Sequence, residues 1–330
     1  MDAKDFKILH ELDEYTRIST SLLAKKVGIS QQVAEYRIKA LQKKDVVYCF
    51  ATVINPFSLG YNPYLVLLRF DPNINLEKDH LLKYLANNSY VYWSGIIGGK
   101  YDLMIYYLSK DFDELKNNLS EMFNKFRNSF EDYEIIPIVQ LNQFKYAHLG
   151  EQVSFNYNCI KEIEKVNLDL IDLKILHEIK TQARRNIVEI AREIGIDFRT
   201  AKSRIDMMKK KGVIVGYKVY VRRQLLDFES YKVLISLKNY DLSEETNLFT
   251  YLNSHPNIIY GHKLLGGKWA YSLGIDAKSS EELQHIILKL RLNFKSIDDY
   301  EIFPIFRSVN VDHLPVSKLL INQLEKVKKT

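Results

Sequence analysis

Asp197-Phe-Arg-Thr-Ala-Lys-Ser-Arg-Ile-Asp-Met-Met-Lys-Lys-Lys211 reads as a helix with an apolar back and a basic front. Asp197 supplies the capping oxygen that the first helical amides need. Ala201, Ile205 and Met208 fall at i, i+4 and i+7, which gathers them into one apolar stripe. Arg199, Ser203, Asp206 and Lys210 occupy the opposite side, flanked by Lys202 and Lys209. Gly212 follows, the residue that takes a left-handed C-cap without a Cβ penalty. Placed behind another short helix, such a helix is a candidate for reading nucleic acid.

The stretch belongs to an internal repeat. Lys7-Ile8-Leu9-His10-Glu11-Leu12 recurs 167 residues later as Lys174-Ile175-Leu176-His177-Glu178-Ile179. Leu23-Ala24-Lys25-Lys26-Val27-Gly28-Ile29 and Tyr133-Glu134-Ile135-Ile136-Pro137-Ile138 recur at the same offset, beginning at Ile190 and Tyr300. A period this long marks duplication of a whole unit rather than a solenoid. Each unit opens with three helical patterns, about Ala3–Tyr15, Ser19–Val27 and Ser30–Lys44 in the first. A β-rich run follows each third helix, Val46–Ile54 and Val213–Val221, as the wing of a winged helix-turn-helix. A single such pattern reads better as an ordinary helical hairpin; two copies with matched spacing, wing and charge reverse that preference.

Beyond the wing, each unit changes period to strand, helix, strand, strand, helix, strand. This is the ferredoxin-like βαββαβ order, with helices on one face of an antiparallel sheet. The other face needs a cover, which another such domain would supply. The fold class expected is α+β: winged helix-turn-helix domains at 1–55 and 168–222, and βαββαβ assembly or effector domains at 62–146 and 229–312. A linker at 147–167 and a basic tail helix at 313–330 complete the division.

Charge follows the same division. The formal net charge is +6; residues 168–222 hold 13 Lys/Arg against 7 Asp/Glu, and residues 1–55 hold 9 against 7. The positive excess sits in the two helical segments, as a phosphate-facing footprint requires. No run of about 18 apolar residues is present, so no membrane helix is expected. The charged, amphipathic start lacks a signal-peptide layout. Cys49 and Cys159 lack metal-ligand spacing, so neither a metal nor a disulfide scaffold is expected, and a cytoplasmic location is.

This organisation resembles the Lrp/AsnC, or feast/famine, family of transcription regulators. The resemblance rests on the opening run Asp169, Asp172, Lys174, Ile175, Leu176, on Ala24 and Gly28, and on Arg37–Leu41 with its copy Arg204–Met208. Gly99–Asp102 also matches. It covers nearly the whole chain outside the linker and tail, and the pattern appears twice where the family usually has one unit per subunit. It implies a double-stranded DNA partner, homo-oligomers of at least two chains, and a small-molecule effector, commonly an amino acid.

Carried onto this chain, the DNA-reading positions are Gln31, Gln32, Tyr36 and Lys39, and in the second unit Phe198, Arg199, Ser203 and Asp206. Arg37, Lys43, Lys202, Arg204 and Lys210 join them as DNA contacts. Glutamine suits adenine and arginine suits guanine, whereas lysines suit phosphates. The two helices differ at almost every outward position, so the operator expected is pseudo-palindromic with unequal half-sites. Asp206 is awkward in this scheme, able to accept from cytosine or to repel the backbone. Effector candidates are Gly98, Gly99, Tyr101 and Asp102, and Gly266, Gly267 and Trp269. Paired glycines let amides approach a carboxylate, and Asp102 can hold an amino group; a plain hairpin accounts for the same residues.

Two rival readings stand beside this one. Siroheme decarboxylases share the architecture as fused pairs, so tetrapyrrole chemistry is an alternative. Yet His10 and His177 lie on first helices, His80, His255 and His262 are scattered, and Tyr90-Val91-Tyr92-Trp93 reads as a buried strand start. No His/Tyr/Arg constellation, catalytic residue or cofactor is therefore expected. The third reading is an assembly module that has lost DNA binding.

Overall fold

The computed structural model describes residues 1–73, 78–146, 157–160, 164–238 and 242–309. The expected tail helix and most of the expected linker lie outside the described residues.

Local chemistry sets the helical heads. Helix α1 (Ala3–Glu14) starts at a capping box in which Asp2 accepts from the Lys4 and Asp5 amides, while Asp5 accepts from the Asp2 amide. Its copy α6 (Leu170–Ile179) starts on the reciprocal pair Asp169 and Asp172. Such boxes satisfy amides that a helix start leaves bare. Helices α2 (Thr20–Val27) and α7 (Ile187–Ile194) both end at a left-handed glycine, Gly28 and Gly195. That break turns the chain into α3 (Gln31–Lys43) and α8 (Phe198–Lys210), capped by Ser30 and Asp197.

The wing departs from the expectation in one respect. Strand β1 (Val47–Ile54) finds its partner in β7 (Ile214–Val221) of the other unit, forming an antiparallel two-stranded ribbon. Ala51 lies opposite Lys218, its own counterpart in the repeat, with Phe50 opposite Val219 and Thr52 opposite Tyr217. A pseudo-twofold axis therefore passes through the Ala51–Lys218 pair. The heads pack across the ribbon: Val219, Val221 and Phe228 enter the first head's core, and Ile54, Leu59 and Tyr61 enter the second's. Thr16 Oγ1 donates to the Tyr217 carbonyl at 2.9 Å and Thr52 Oγ1 to the Ile179 carbonyl at 2.7 Å.

The same axis relates the two βαββαβ sheets. The first comprises β2 (Asn62–Phe70), α4 (Lys78–Asn87), β3 (Val91–Ile97), β4 (Leu103–Ser109), α5 (Phe112–Lys125) and β5 (Phe130–Gln143). The second comprises β8 (Glu229–Leu237), α9 (Leu242–Ser254), β9 (Ile258–Leu264), β10 (Tyr271–Ala277), α10 (Ser280–Asn293) and β11 (Ile297–Val309). Strand β3 joins β11 and β5 joins β9, while β5 also pairs β2, so eight strands close on themselves in the order β2-β4-β3-β11-β8-β10-β9-β5. The seams are equivalent: Ile97 opposes Ile305, and Ile138 opposes Leu264. A short strand β6 (Tyr157–Ile160), inside the stretch expected to be linker, adds to the free end of β5.

Closure sorts each strand into two faces. Val66, Leu68, Ile105 and Tyr107 pack outward under α4 and α5, and Val233, Ile235, Leu273 and Ile275 under α9 and α10. Leu65, Leu67, Met104, Ile136, Leu234, Leu264, Trp269 and Phe303 point inward and form a core drawn from both units. Among the described residues no helix is long and apolar enough to cross a membrane.

Phe303 is fully buried in this shared core. Phe303→Ala is expected to destabilise the chain by about 3–5 kcal/mol. Denaturant titration followed by tryptophan fluorescence and circular dichroism should show one coincident, shifted transition. Two separate transitions with only one displaced would mean that the units fold independently.

Candidate nucleic-acid interface and a cavity beneath the ribbon

The two third helices present the surface the sequence marks. Ala34, Ile38 and Leu41, and likewise Ala201, Ile205 and Met208, are buried on the inner side. Gln31, Gln32, Tyr36, Lys39 and Lys43 are exposed on α3, and Phe198, Arg199, Lys202, Ser203, Asp206 and Lys210 on α8. Tyr36 is 73% exposed and Phe198 43%, unusual for aromatic rings. Lys39 pairs with Glu35 at 2.7 Å along the helix, and Asp206 lies 3.8 Å from Lys209. A lysine thus offsets the carboxylate that sat awkwardly in a basic face.

Arg37 and Arg204 are placed differently from the remaining residues of this set. Arg37 bonds Asp2 at 2.9 Å and Asp5 at 2.7 Å; Arg204 bonds Asp169 and reaches Asp172 at 3.1 Å. The hydrogen bonds that each guanidinium donates to these carboxylates come first in raising its pKa. Both guanidiniums therefore clamp the third helix to the start of the first, where base or phosphate contact was expected of them. The acidic opening run and the arginine of each third helix are one device, repeated.

The glycine hairpins are likewise held by contacts within the fold. Gly98 donates its amide to the Pro304 carbonyl across the seam, and a Cβ there would meet the Phe306 ring at 2.9 Å. Gly99 has φ +107°, and a Cβ would come within 3.3 Å of the Ile302 carbonyl oxygen. Asp102 accepts from the Phe70 amide at 2.8 Å, so its carboxylate is already engaged in the sheet. Tyr101 is buried with its hydroxyl on Glu134 at 3.2 Å. Gly266 and Gly267 take positive φ in a turn, and Trp269 is buried in the shared core beneath Lys268. Turn geometry and close packing at the seam account for all seven.

The structure gathers a constellation that the sequence reading did not foresee. Tyr48, Lys218 and Tyr220 of the ribbon lie over one end of the closed sheet, where a half-open cavity of about 110 Å³ remains. Tyr92, Trp93, Tyr106, Lys232, Tyr260, His262 and Asp276 line it from five strands, with Arg223 from the turn after β7. None of the seven hairpin residues is among its lining. Lys232 Nζ sits 4.0 Å from the Tyr260 ring centroid, 4.2 Å from Trp93 and 4.5 Å from Tyr106. It donates to Tyr106 Oη at 3.3 Å, which shares a hydrogen with Ser272 Oγ at 3.0 Å.

Burial dominates the electrostatics. It pushes Lys232 well below the ordinary lysine range, with the Arg223 charge acting the same way. His262 is likewise lowered by burial, then by Lys232, and its Nδ1 accepts from the Asn142 amide at 3.2 Å. Burial also pushes Lys218 down to about 8. Asp276 is raised by burial although Arg223 stands 3.3 Å away and Ser230 donates to it at 2.9 Å. Tyr92 Oη and Asp276 Oδ2 are buried without a hydrogen-bond partner.

Two exposed third helices related by a twofold place the chain in the winged helix-turn-helix class, here with both heads in one chain. The winged helix-turn-helix DNA-binding family model matches residues 1–48 and 168–215. An uncharacterized HTH-type transcriptional regulator of Pyrococcus abyssi is 31% identical over 107 residues, 32% of this chain and 71% of that protein. The HTH-type transcriptional regulator LrpC of Bacillus subtilis is 29% identical over 125 residues, 38% of this chain and 84% of LrpC. The chain belongs to the Lrp/AsnC family of transcription regulators. Its whole fold, both units together, is shared with the siroheme decarboxylase NirDL. The TM-score is 0.64 at 13% identity, over 98% of this chain and 99% of that one.

The clamp assignment predicts unequal costs on stability. Asp169→Ala, which removes both a cap and an ion-pair partner, should cost about 1–2 kcal/mol in denaturant unfolding. Lys202→Ala on the open face should stay within about 0.5 kcal/mol of the parent. Equal effects would contradict the division between clamp and open face.

Proposed function

We propose that the chain is a sequence-specific regulator that binds double-stranded DNA through α3 and α8, each reading one half of a pseudo-palindromic operator. The observation that carries this reading is the pair of third helices whose outward side chains are exposed while Arg37 and Arg204 alone are held against the first helices. Gln31, Gln32, Phe198 and Arg199 stand near the helix starts, where such helices reach base edges, and Tyr36 faces outward more than a turn further along α3. Lys39, Lys43, Lys202 and Lys210 contact phosphates, and Ser203 and Asp206 border them. The half-sites differ because the two faces differ. Assembly of the two-head body within one chain leaves a homo-oligomer of chains, at least a dimer, to present four heads. The place of action is the cytoplasm.

The enzymatic alternative finds less support. NirDL has been solved in co-complex with an iron-uroporphyrin III analogue. The cavity as it stands, about 110 Å³, is smaller than a four-pyrrole macrocycle, and no step of tetrapyrrole chemistry is drawn from its residues. We read the chain as a regulator rather than a decarboxylase.

Selection from random DNA should return pseudo-palindromes with unlike halves. Recovery of perfect palindromes alone would contradict the assignment of unequal heads. On a selected site, Arg199→Ala is expected to cost about 1–3 kcal/mol against the preferred base and to relax preference at that position only. Lys202→Ala should weaken all sequences alike and lower the salt slope of log K by about 1. No retardation of any duplex at low salt would support the assembly-module reading.

A further inference from the structure

The cavity beneath the ribbon is one-sided in a molecule built on a twofold. Lys232 stands where the first unit has Leu65, His262 where it has Gly95, Asp276 where it has Ser109, and Arg223 where it has Pro56. Duplication alone would have left two alike apolar corners. On the related side, near Pro56 and Tyr220, strand β6 brings Cys159 against Thr52–Ile54 and Leu141, and only about 40 Å³ is left. The charged side stays open, so the second unit has polar groups where the first has smaller or apolar side chains.

The charges within it are unbalanced. Arg223 has Asp276 as its ion-pair partner, and Asp13 offsets Lys218. Lys232, only 4% exposed, forms no ion pair among the described residues and has the Tyr106 hydroxyl as its polar neighbour. A buried amine boxed by three aromatic rings either gives up its proton, the direction in which burial drives Lys232, or keeps its charge beside an anion. Water can satisfy the Tyr92 hydroxyl, but it brings no negative charge to Lys232. A monoanion does both.

Size and shape narrow the ligand. A cavity of about 150 Å³ holds one benzene ring, so about 110 Å³ suits a molecule of roughly four to six heavy atoms. Aromatic walls favour a flat, partly apolar body. The surplus of cationic groups disfavours an ammonium, and hence an amino acid, while the apolar walls penalise the dehydration of a dianion.

We propose that this cavity binds a short monocarboxylate, its carboxylate lodged between Lys232 Nζ and Tyr92 Oη, and that occupancy alters DNA binding. The floor of the site is the closed sheet and its roof is the ribbon that carries both heads, so a ligand touching Lys218 and Tyr220 bears on the heads' mutual setting. The effect on DNA rests on the regulator reading above; the binding does not.

Titration calorimetry on the full chain with pyruvate and with propionate tests the site, using L-alanine and inorganic phosphate as contrasts. Saturable binding of one monocarboxylate per chain is expected, with alanine and phosphate at least tenfold weaker. Lys232→Met should weaken binding at least tenfold. Tyr92→Phe, which deletes one hydroxyl and keeps the ring, should weaken it about three- to tenfold and guards against a Lys232 variant that fails to fold. No binding of either monocarboxylate to the parent chain, or unchanged binding to Tyr92→Phe, overturns the site. In a parallel retardation assay, a saturating monocarboxylate should change operator affinity at least threefold, and this shift should vanish in Tyr92→Phe at the same ligand concentration. Binding without such a shift overturns the regulatory half. Calorimetric binding by a chain that retards no DNA supports the site and defeats the regulator reading instead.

Discussion

Strand edges are the constraint on which this molecule depends. A four-stranded βαββαβ sheet has two edges with unpaired amides and carbonyls, and one face bare of helices. Here each unit's edges are taken by the other's, β3 by β11 and β9 by β5, and the two bare faces become one interior. A wing strand alone would present the same liability, and β1 and β7 resolve it by pairing with each other. Three separate edge problems are solved by one operation, a twofold relation between the halves of a duplicated chain.

Fusion releases the halves from identity. Two identical subunits must place the same residue at both ends of a pseudo-symmetric pair, but one chain need not. At the axis itself Ala51 faces Lys218, a small residue opposite a long one. Lys218 sits over the Tyr146 ring and donates to the Phe144 carbonyl, contacts for which Ala51 has no counterpart. The same freedom lets α3 carry glutamines where α8 carries Phe198 and Arg199.

Much of this was legible in the amino-acid sequence, because the relevant signals are local or repeated. Caps at Ser30 and Asp197, the glycine breaks at Gly28 and Gly195, and the apolar stripes of α3 and α8 depend on neighbours a turn away. The βαββαβ order follows from period changes seen twice. The partner of each wing strand was not legible, since an edge strand carries no mark of which edge will meet it. The clamp role of Arg37 and Arg204 was hidden because a basic side chain on a helix reads alike whether it faces phosphate or a carboxylate 35 residues earlier.

The cavity escaped for a deeper reason. Its lining comes from both units and the ribbon, so no spacing in the chain announces it. Lys232, in a strand whose neighbours Tyr231 and Val233 face the helices, reads as the polar side of an ordinary alternating strand. Alternation identifies two faces; it does not say whether the second is solvent or a shared interior. The repeat contains the missing information. Leu65, at the matching position, is an inward apolar residue, so Lys232 must point inward too. In a duplicated protein, an apolar residue in one copy matched by a charge in the other marks a buried position where the two halves differ in chemistry. That comparison singles out Lys232 against Leu65 and Lys218 against Ala51.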